Sequence, residues 1–288
     1  MFLDTFVSFI KIALELTILF IVISFVIGLL QGIFPFEKIE KMLSGKNKII
    51  GILFALIFAF VTPFCSCSTI PIVVNMLHKK IPFGIVIIFL FSSPVLDPTI
   101  LTIMGVLLGW KVVIIYTLST VLLSVLIGLS LEALGLNRAV KDVVMTGYQD
   151  KTKKFSFKFA WNETFKLMKT VYPYLIVGAA IGAILHGIVP TEWISNTFSG
   201  DHWWLVPLAA VSGIPLYIRL SSMIPISHVL IMKGMALGPV MAMMISSAGA
   251  SLPEIMLLKS IFKTELVVLF VLSVITMSTF AGFIFYII

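Results

Sequence analysis

Two cysteines, Cys65 and Cys67, could give this chain its most distinctive chemistry. They are its only cysteines and lie in the run Thr62-Pro-Phe-Cys-Ser-Cys-Ser-Thr-Ile-Pro71. Thiols two residues apart can face one side of an extended segment and bind a soft ligand, such as a trivalent arsenical or Cu(I). The alternative is that both pack as small apolar side chains. A structural zinc site is not expected, because such a site needs four ligands.

Three charged residues, Asp97, Arg219 and Glu254, lie inside long apolar segments. A charge at bilayer depth costs at least ~2.5–3.5 kcal/mol on insertion scales and usually marks a pathway or a partner. Two interpretations follow. Either Arg219 forms an ion pair with one of the acids, or the acids carry protons for coupling and Arg219 binds an anion.

The composition is that of an integral membrane protein. Of the 288 residues, 60% are hydrophobic and 11% are charged, with a mean hydropathy of +1.15. Soluble domains carry roughly 25% charged residues. The net charge of +7 comes from basic residues clustered in loops between apolar runs, which is typical of topology signals and not of a nucleic-acid surface. We therefore expect the lipid bilayer as a partner and no nucleic acid.

The apolar segments are each long enough to span a bilayer, which takes ~20 residues. They fall at about 5–34, 48–77, 82–109, 111–134, 165–189, 203–231, 236–258 and 265–288. Four of them are interrupted by Pro, Gly and Ser residues. The interruptions are at 62–71, at 92–98, at 212–215 with Pro225, and at 246–253. Since proline lacks the N–H and its ring clashes with the preceding turn, we expect the helices to break there.

These interruptions recur at a nearly constant offset, which predicts a duplicated unit. Gly32, Pro35, Glu37 and Ile39 recur 155 residues later, as Gly187, Pro190, Glu192 and Ile194. Pro71, Gly84, Ser92, Ser93 and Ser119 recur 154 residues later, as Pro225, Gly238, Ser246, Ser247 and Ser273. The predicted organisation is a first membrane repeat at 1–135, a cytoplasmic basic linker at 136–161 and a second membrane repeat at 162–288.

The charges of the loops indicate that the two repeats are inverted. The basic loop 35–48 reads as cytoplasmic, whereas its counterpart 190–204 has no Lys or Arg and reads as external. Inversion requires an odd number of crossings in each repeat. The predicted fold is therefore an all-α polytopic membrane protein with about six full crossings, two re-entrant Pro-broken helical hairpins at 48–79 and 203–232, and both termini outside. The alternative is eight plain transmembrane helices with cytoplasmic termini.

Inverted repeats with broken helices that meet near the membrane midplane are typical of secondary transporters. We therefore predict a substrate pathway between the repeats, with the Cys65 loop facing the Arg219 loop. Its residues would be Pro63, Cys65, Ser66, Cys67, Ser68, Thr69, Ser93, Pro94, Tyr217, Arg219, Ser221, Ser222 and Ser247. Alternatively, the prolines kink packed helices and the serines allow close packing. No catalytic or nucleotide-binding motif is present, so we expect neither an enzyme nor a cofactor or bound metal.

The run 62–71, followed by Ser92-Ser-Pro94 and Gly213-Ile-Pro-Leu-Tyr217, resembles the predicted-permease family of YraQ-like and ArsP-type membrane proteins. The resemblance implies an inner-membrane permease with about eight apolar segments and, for the ArsP branch, efflux of trivalent organoarsenicals. In that family a Cys commonly follows Gly-Ile-Pro-Leu-Tyr-x, and the arsenical site is thought to rest on it. This chain has Arg219 there, which favours an anionic or carboxylate-bearing solute.

The expected function is that of a gradient-driven permease of the plasma (inner) membrane, which moves a small solute through a midplane site and exports rather than imports it. One alternative is an organoarsenical efflux permease like the ArsP branch. A further alternative is a membrane scaffold or partner-binding component without transport. A small-molecule substrate is expected as a partner, and a homo-oligomer is left open.

Overall fold

The computed structural model describes residues 48–61, 66–79, 81–136, 202–215, 220–232 and 234–287, together with Val140 and isolated positions within 10–21 and 161–176. Most of the predicted segments 5–34 and 165–189, and most of the linker, lie outside the described residues. What is described is almost entirely helical, in agreement with the predicted all-α membrane protein.

Ten helices are described, five on each side of the linker. The first five are α1 (Lys48–Val61), α2 (Ser66–His78), α3 (Phe83–Ser92), α4 (Pro98–Leu107) and α5 (Trp110–Ala133). The second five are α6 (Leu205–Gly213), α7 (Leu220–Met232), α8 (Leu237–Gly249), α9 (Leu252–Ile261) and α10 (Thr264–Ile287).

Two of these helices, α5 and α10, are long and apolar enough to cross a membrane singly. Each has 24 residues, or about 36 Å at ~1.5 Å per residue, against a hydrocarbon core of ~30 Å. Helix α8 together with residues Glu254–Ile261 would make a third, broken span, bent by 41°. The exposed apolar side chains of α5, including Ile114, Leu118 and Leu122, follow one another at intervals of four and form a lipid-facing stripe.

Helices α3 and α8 form the centre of the structure. All ten residues of α3 are buried, and so are eleven of the thirteen residues of α8. Helix α3 packs against α1, α2 and α5, while α8 packs against α6, α7 and α10. Helix α4 packs against α5, and α9 packs against α10. Across the linker, α2 packs against α9, α7 against α4, and α5 against α10.

Two predicted interruptions coincide with gaps between helices. Residues 93–97 separate α3 from α4, and residues 250–251 separate α8 from α9. The second gap is shorter than predicted, because Ser246 and Ser247 still belong to α8. Pro253 is the second residue of α9, a position where the missing N–H has no intrahelical role to lose.

The prediction that Pro71 and Pro225 break their helices is wrong. Pro71 is the sixth residue of α2 and Pro225 the sixth residue of α7, and both helices continue beyond them. The N–H groups of the first four residues have no intrahelical partner in any helix. A proline at the sixth position therefore removes a single intrahelical hydrogen bond, the one from its own missing N–H to the carbonyl of the second residue. The packing of α7 against α4 and α8 can hold the rest of that helix in place.

Candidate functional site

Helices α2 and α7 begin with the same arrangement of free backbone groups. The first N–H groups of each helix have no intrahelical partner. Pro71 and Pro225 lack the N–H that would bond to the carbonyl four residues earlier, which belongs to Cys67 in α2 and to Ser221 in α7. The starts of both helices therefore present backbone donors, and one backbone carbonyl that lacks the usual N–H donor four residues later. Such a pair of groups can bind a polar solute without any special side chain.

The predicted pathway residues around these two starts are described only in part. Ser66, Cys67 and Ser68 contribute their backbone to the first turn of α2, and Ser221 and Ser222 to that of α7. Thr69 follows in α2 and its side chain is fully buried. Four further predicted residues lie outside the described residues: Pro63, Cys65, Tyr217 and Arg219. That the Cys65 loop faces the Arg219 loop accordingly stays a prediction.

The gap between α3 and α4 is buried and polar. Ser93 and Pro94 are both buried, and the Ser93 hydroxyl has no hydrogen-bond partner among the described residues. The neighbouring Ser92 hydroxyl lies 3.0 Å from the hydroxyl of Ser124 on α5. Asp97 closes the gap: its Oδ1 accepts a hydrogen bond from the backbone N–H of Thr99 at 2.8 Å and so caps α4. The break is thus built from specific hydrogen bonds and one unused hydroxyl.

The gap between α8 and α9 has a matching cap. Ser251 and Glu254 form a reciprocal capping box, in which Glu254 Oε2 accepts from the Ser251 backbone N–H at 3.4 Å. Glu254 is 1% exposed. Ser247, on the last turn of α8, donates its hydroxyl to the carbonyl of Met244 at 3.0 Å. Both predicted acids, Asp97 and Glu254, therefore lie at helix N-termini, where the helix dipole favours negative charge.

The packing brings α2 and α7 each against the helix that follows the gap of the other half. Helix α2 meets α9, and α7 meets α4. The free backbone groups of one half and the capped break of the other are thereby placed in neighbouring elements. Within the described residues, no cluster of three or more His, Cys, Asp or Glu side chains could hold a metal ion.

Sequence reasoning missed two buried hydroxyls outside the breaks. Tyr116 on α5 and Ser227 on α7 are both fully buried, and neither hydroxyl has a hydrogen-bond partner in the part of the chain that the structure describes. The 154-residue offset was a signal that could have found them. It aligns Tyr116 with Phe270 and Ser227 with Val73, so that each hydroxyl stands where the other half has hydrocarbon.

Comparison with known proteins decides the family. The ArsP_1 family, described as a predicted permease, matches residues 2–287. The chain belongs to this family. Membership confirms the predicted resemblance and indicates a membrane permease, a transporter rather than an enzyme. No solved structure matches the permease.

Three relatives are similar over most of their length. UPF0718 protein MJ0584 of Methanocaldococcus jannaschii is 22% identical, over 84% of this permease and 83% of the relative. UPF0718 protein YraQ of Escherichia coli is 22% identical, over 83% and 68%. A Streptococcus mutans protein, whose name includes "two-component membrane permease complex subunit", is 25% identical over 92% and 88%.

Proposed function

We propose that this permease is gradient-driven and moves a small solute across the plasma membrane, through a midplane site between two inverted repeats. The observation that carries the proposal is the exchange of partners between the halves: α2 packs against α9 while α7 packs against α4. If α2 corresponds to α7 and α4 corresponds to α9, a two-fold rotation that exchanges the halves converts the α2–α9 contact into the α7–α4 contact. The contact between α5 and α10 then maps onto itself.

The positions of the helices support the repeat. Four pairs of helices start 154 residues apart: α2 and α7 at 66 and 220, α3 and α8 at 83 and 237, α4 and α9 at 98 and 252, and α5 and α10 at 110 and 264. The helices that pack around α3 also have the same order as those around α8. The repeat boundaries we propose are 1–135 and 162–288, with the linker 136–161 on the cytoplasmic side.

A short backbone contact supports inversion. Val140, in the linker, pairs with Phe262 in an antiparallel bridge. Only six residues, 134–139, separate Val140 from the end of α5 at Ala133. The seven Cα–Cα steps from Ala133 to Val140 reach at most ~25 Å, which is less than the ~36 Å length of α5. Phe262 therefore lies at the end of the fold where α5 finishes, and α10 starts two residues after it. The two equivalent helices then run in opposite directions.

Contacts at the helix ends support re-entrant hairpins. Lys48 Nζ lies 3.4 Å from Glu132 Oε1, so α1 starts beside the end of α5. A Cβ on Gly84 would lie 3.1 Å from Cβ of Glu132, so α3 starts there too. Helix α2 ends five residues before α3 begins. Helix α1 would thus enter the membrane and α2 would return to the same side.

The second half has the equivalent contacts. A Cβ on Gly282, near the end of α10, would lie 2.6 Å from Cγ1 of Val206 on α6 and 3.0 Å from the carbonyl oxygen of Gly238 on α8. The starts of α6 and α8 thus share one side with the end of α10. With α10 inverted relative to α5, the second hairpin would enter from the opposite face, and the broken helix starts would meet near the midplane.

For the solute, we propose a small anion or carboxylate-bearing molecule, exported rather than imported. Arg219 takes the place of the family's second-half Cys, and a guanidinium is a donor suited to carboxylate. A trivalent organoarsenical is the alternative cargo, which Cys65 and Cys67 would bind through their thiols. Asp97 and Glu254 are the candidate coupling residues.

One relative favours a second role, that of a subunit that works with a partner. The streptococcal relative is named as a subunit of a two-component permease complex. In this role the permease would need a second membrane protein for transport. Purification of the tagged permease with its neighbours, after crosslinking in its own cells, would distinguish a stoichiometric second component from a self-contained permease.

The pathway is tested by the reactivity of cysteines placed at the two gaps. In a background with Cys65 and Cys67 changed to Ser, Ser93→Cys and Ser247→Cys would be treated with a charged methanethiosulfonate reagent. Water must reach a thiol for its reactive thiolate to form. We expect at least one of the two to react, whereas a cysteine at lipid-facing Leu118, 65% exposed in the absence of lipid, stays unreactive. Two unreactive gap cysteines would contradict the pathway.

A further inference from the structure

The hydroxyls of the described buried serines follow one rule with three exceptions. Buried serines usually bond to a carbonyl three or four residues earlier, which satisfies the hydroxyl within its own helix. Those that do so are Ser119, Ser124, Ser246, Ser247, Ser260 and Ser278. Ser92 instead bonds to Ser124. Of the described buried serines, Ser93 and Ser227 alone have an unpartnered hydroxyl.

Tyr116 is the third unpartnered hydroxyl, on the largest of the fully buried side chains. A buried tyrosine normally finds a partner for its O–H, because an unmet hydroxyl in an apolar interior is unfavourable. Packing does not require this hydroxyl. Phe270, 154 residues later, is also buried, and its ring packs at a tilt against that of Phe91, with a centroid distance of 4.6 Å. Val73, the counterpart of Ser227, is likewise fully buried.

The residues that carry the two extra hydroxyls lie at similar distances from the ends of their helices. Tyr116 is six residues from the start of α5 and Ser227 is five residues from the end of α7, which places them about 9 Å and 8 Å from those helix ends. Helix α4 packs against both α5 and α7. In the proposed topology both of those helix ends face outside. Ser93, ten residues into the segment that starts at Phe83, lies about 15 Å from the inner end and so near the midplane.

We infer that the hydroxyls of Tyr116 and Ser227 line the outward half of the solute path and, with Ser93 at the midplane, hydrogen-bond a small oxygen-bearing solute such as a carboxylate or an oxyanion. This inference rests on the proposed function and adds its solute-contacting residues. Each hydroxyl can donate to or accept from the solute, so each gains the partner that the protein does not supply. The asymmetry between the repeats, with hydrocarbon at Phe270 and Val73, confines this lining to one half of the path.

The test is outside accessibility of Ser227→Cys in the full-length permease with Cys65 and Cys67 changed to Ser, in right-side-out vesicles. A membrane-impermeant, charged methanethiosulfonate reagent is the probe. The matched control is Val229→Cys, two residues along the same helix and 52% exposed on its lipid-facing side. We expect position 227 to react at least about tenfold faster than 229, because only a hydrated thiol forms the reactive thiolate. Equal rates, or no reaction at 227, would overturn the inference.

Two further arms separate the ways in which this could fail. If Ser227→Cys does not react but Ser93→Cys or Ser247→Cys does, the path stands and its hydroxyl lining fails; if none of the three reacts, the proposed path fails too. Sodium acetate and sodium phosphate are the solute probes, with sodium chloride as the reference. At a concentration near its Kd, one of them should slow labelling at 227 about twofold. Protection by neither would overturn the assigned solute class.

A folding check uses Tyr116→Phe, which copies the residue at Phe270. If the Tyr116 hydroxyl has no partner in the protein, this variant keeps or raises the Tm of the purified permease in detergent. A clear fall in Tm would show that the hydroxyl has a structural partner, and would overturn its assignment to the solute.

Discussion

Gly84 on α3 and Gly128 on α5 bring their backbones into direct contact. A Cβ on Gly84 would lie 3.0 Å from the carbonyl oxygen of Gly128, and a Cβ on Gly128 would lie 2.9 Å from the carbonyl oxygen of Gly84. Gly238 and Gly282, each 154 residues later, repeat the contact at 2.8 and 3.0 Å. Small residues of this kind let membrane helices pack closely. Each proposed repeat is thus held together by the same glycine pair.

The first prediction concerns this pair. Gly128→Val would drive a branched side chain into the carbonyl of Gly84 and into Ile88, whose Cγ1 would lie 2.5 Å from a new Cβ. Overpacking typically costs about 1–3 kcal/mol, and backbone cannot move aside as a side chain can. We expect a fall in Tm of several degrees in detergent, with Gly282→Val behaving alike. Leu126→Val, on the lipid-facing side of α5, is the control and should change little.

The second prediction concerns the hydrogen bond between Ser92 and Ser124. A double-mutant cycle of Ser92→Ala and Ser124→Ala should give a coupling of about 0.6 kcal/mol in the free energy of unfolding, the average for hydrogen bonds between membrane helices. The matched cycle is at Ser246 and Ser278, the equivalent pair, whose hydroxyls bond to carbonyls of their own helices. That cycle should give a coupling near zero. Equal couplings in both cycles would show that the Ser92–Ser124 bond carries no special stability.

The third prediction concerns Asp97 as the cap of α4. Asp97→Ala removes the oxygen that bonds to the Thr99 N–H and should lower stability by about 1 kcal/mol, whereas Asp97→Asn keeps an oxygen there and should lose much less. Chemical denaturation of the purified variants checks this. If Asn is as harmful as Ala, the charge of Asp97 itself stabilises the fold, through the dipole of α4 or through a cationic partner.

Local sequence rules predicted the breaks well where several signals coincide. Ser92-Ser-Pro94 with Asp97-Pro98 ends one helix and caps the next, and this gap lies where it was expected. The rule failed for Pro71 and Pro225, because a proline six residues into a helix loses a single hydrogen bond and tertiary packing can compensate for it. Proline alone was a weaker signal than proline combined with a cap.

Contacts between distant residues could not be predicted in the same way. Gly84 was recognised as part of the repeat, but its partner Gly128 is 44 residues away and is revealed by the packing of α3 on α5. Likewise, Tyr116 lies on a plain apolar helix, so its unpartnered hydroxyl follows only from its surroundings. The sequence therefore predicted the helix breaks of the candidate site, but not the residues on the continuous helices beside them.

The central claim, that the two halves are inverted, is tested most directly at Lys111 and Glu265. These exposed residues are the second positions of α5 and α10 and are 154 residues apart. Single cysteines at each position, in the background without Cys65 and Cys67, would be labelled with an impermeant maleimide on intact cells. We predict that Lys111→Cys reacts on intact cells and that Glu265→Cys reacts only after permeabilisation. Labelling of both from the same side would contradict the inverted arrangement.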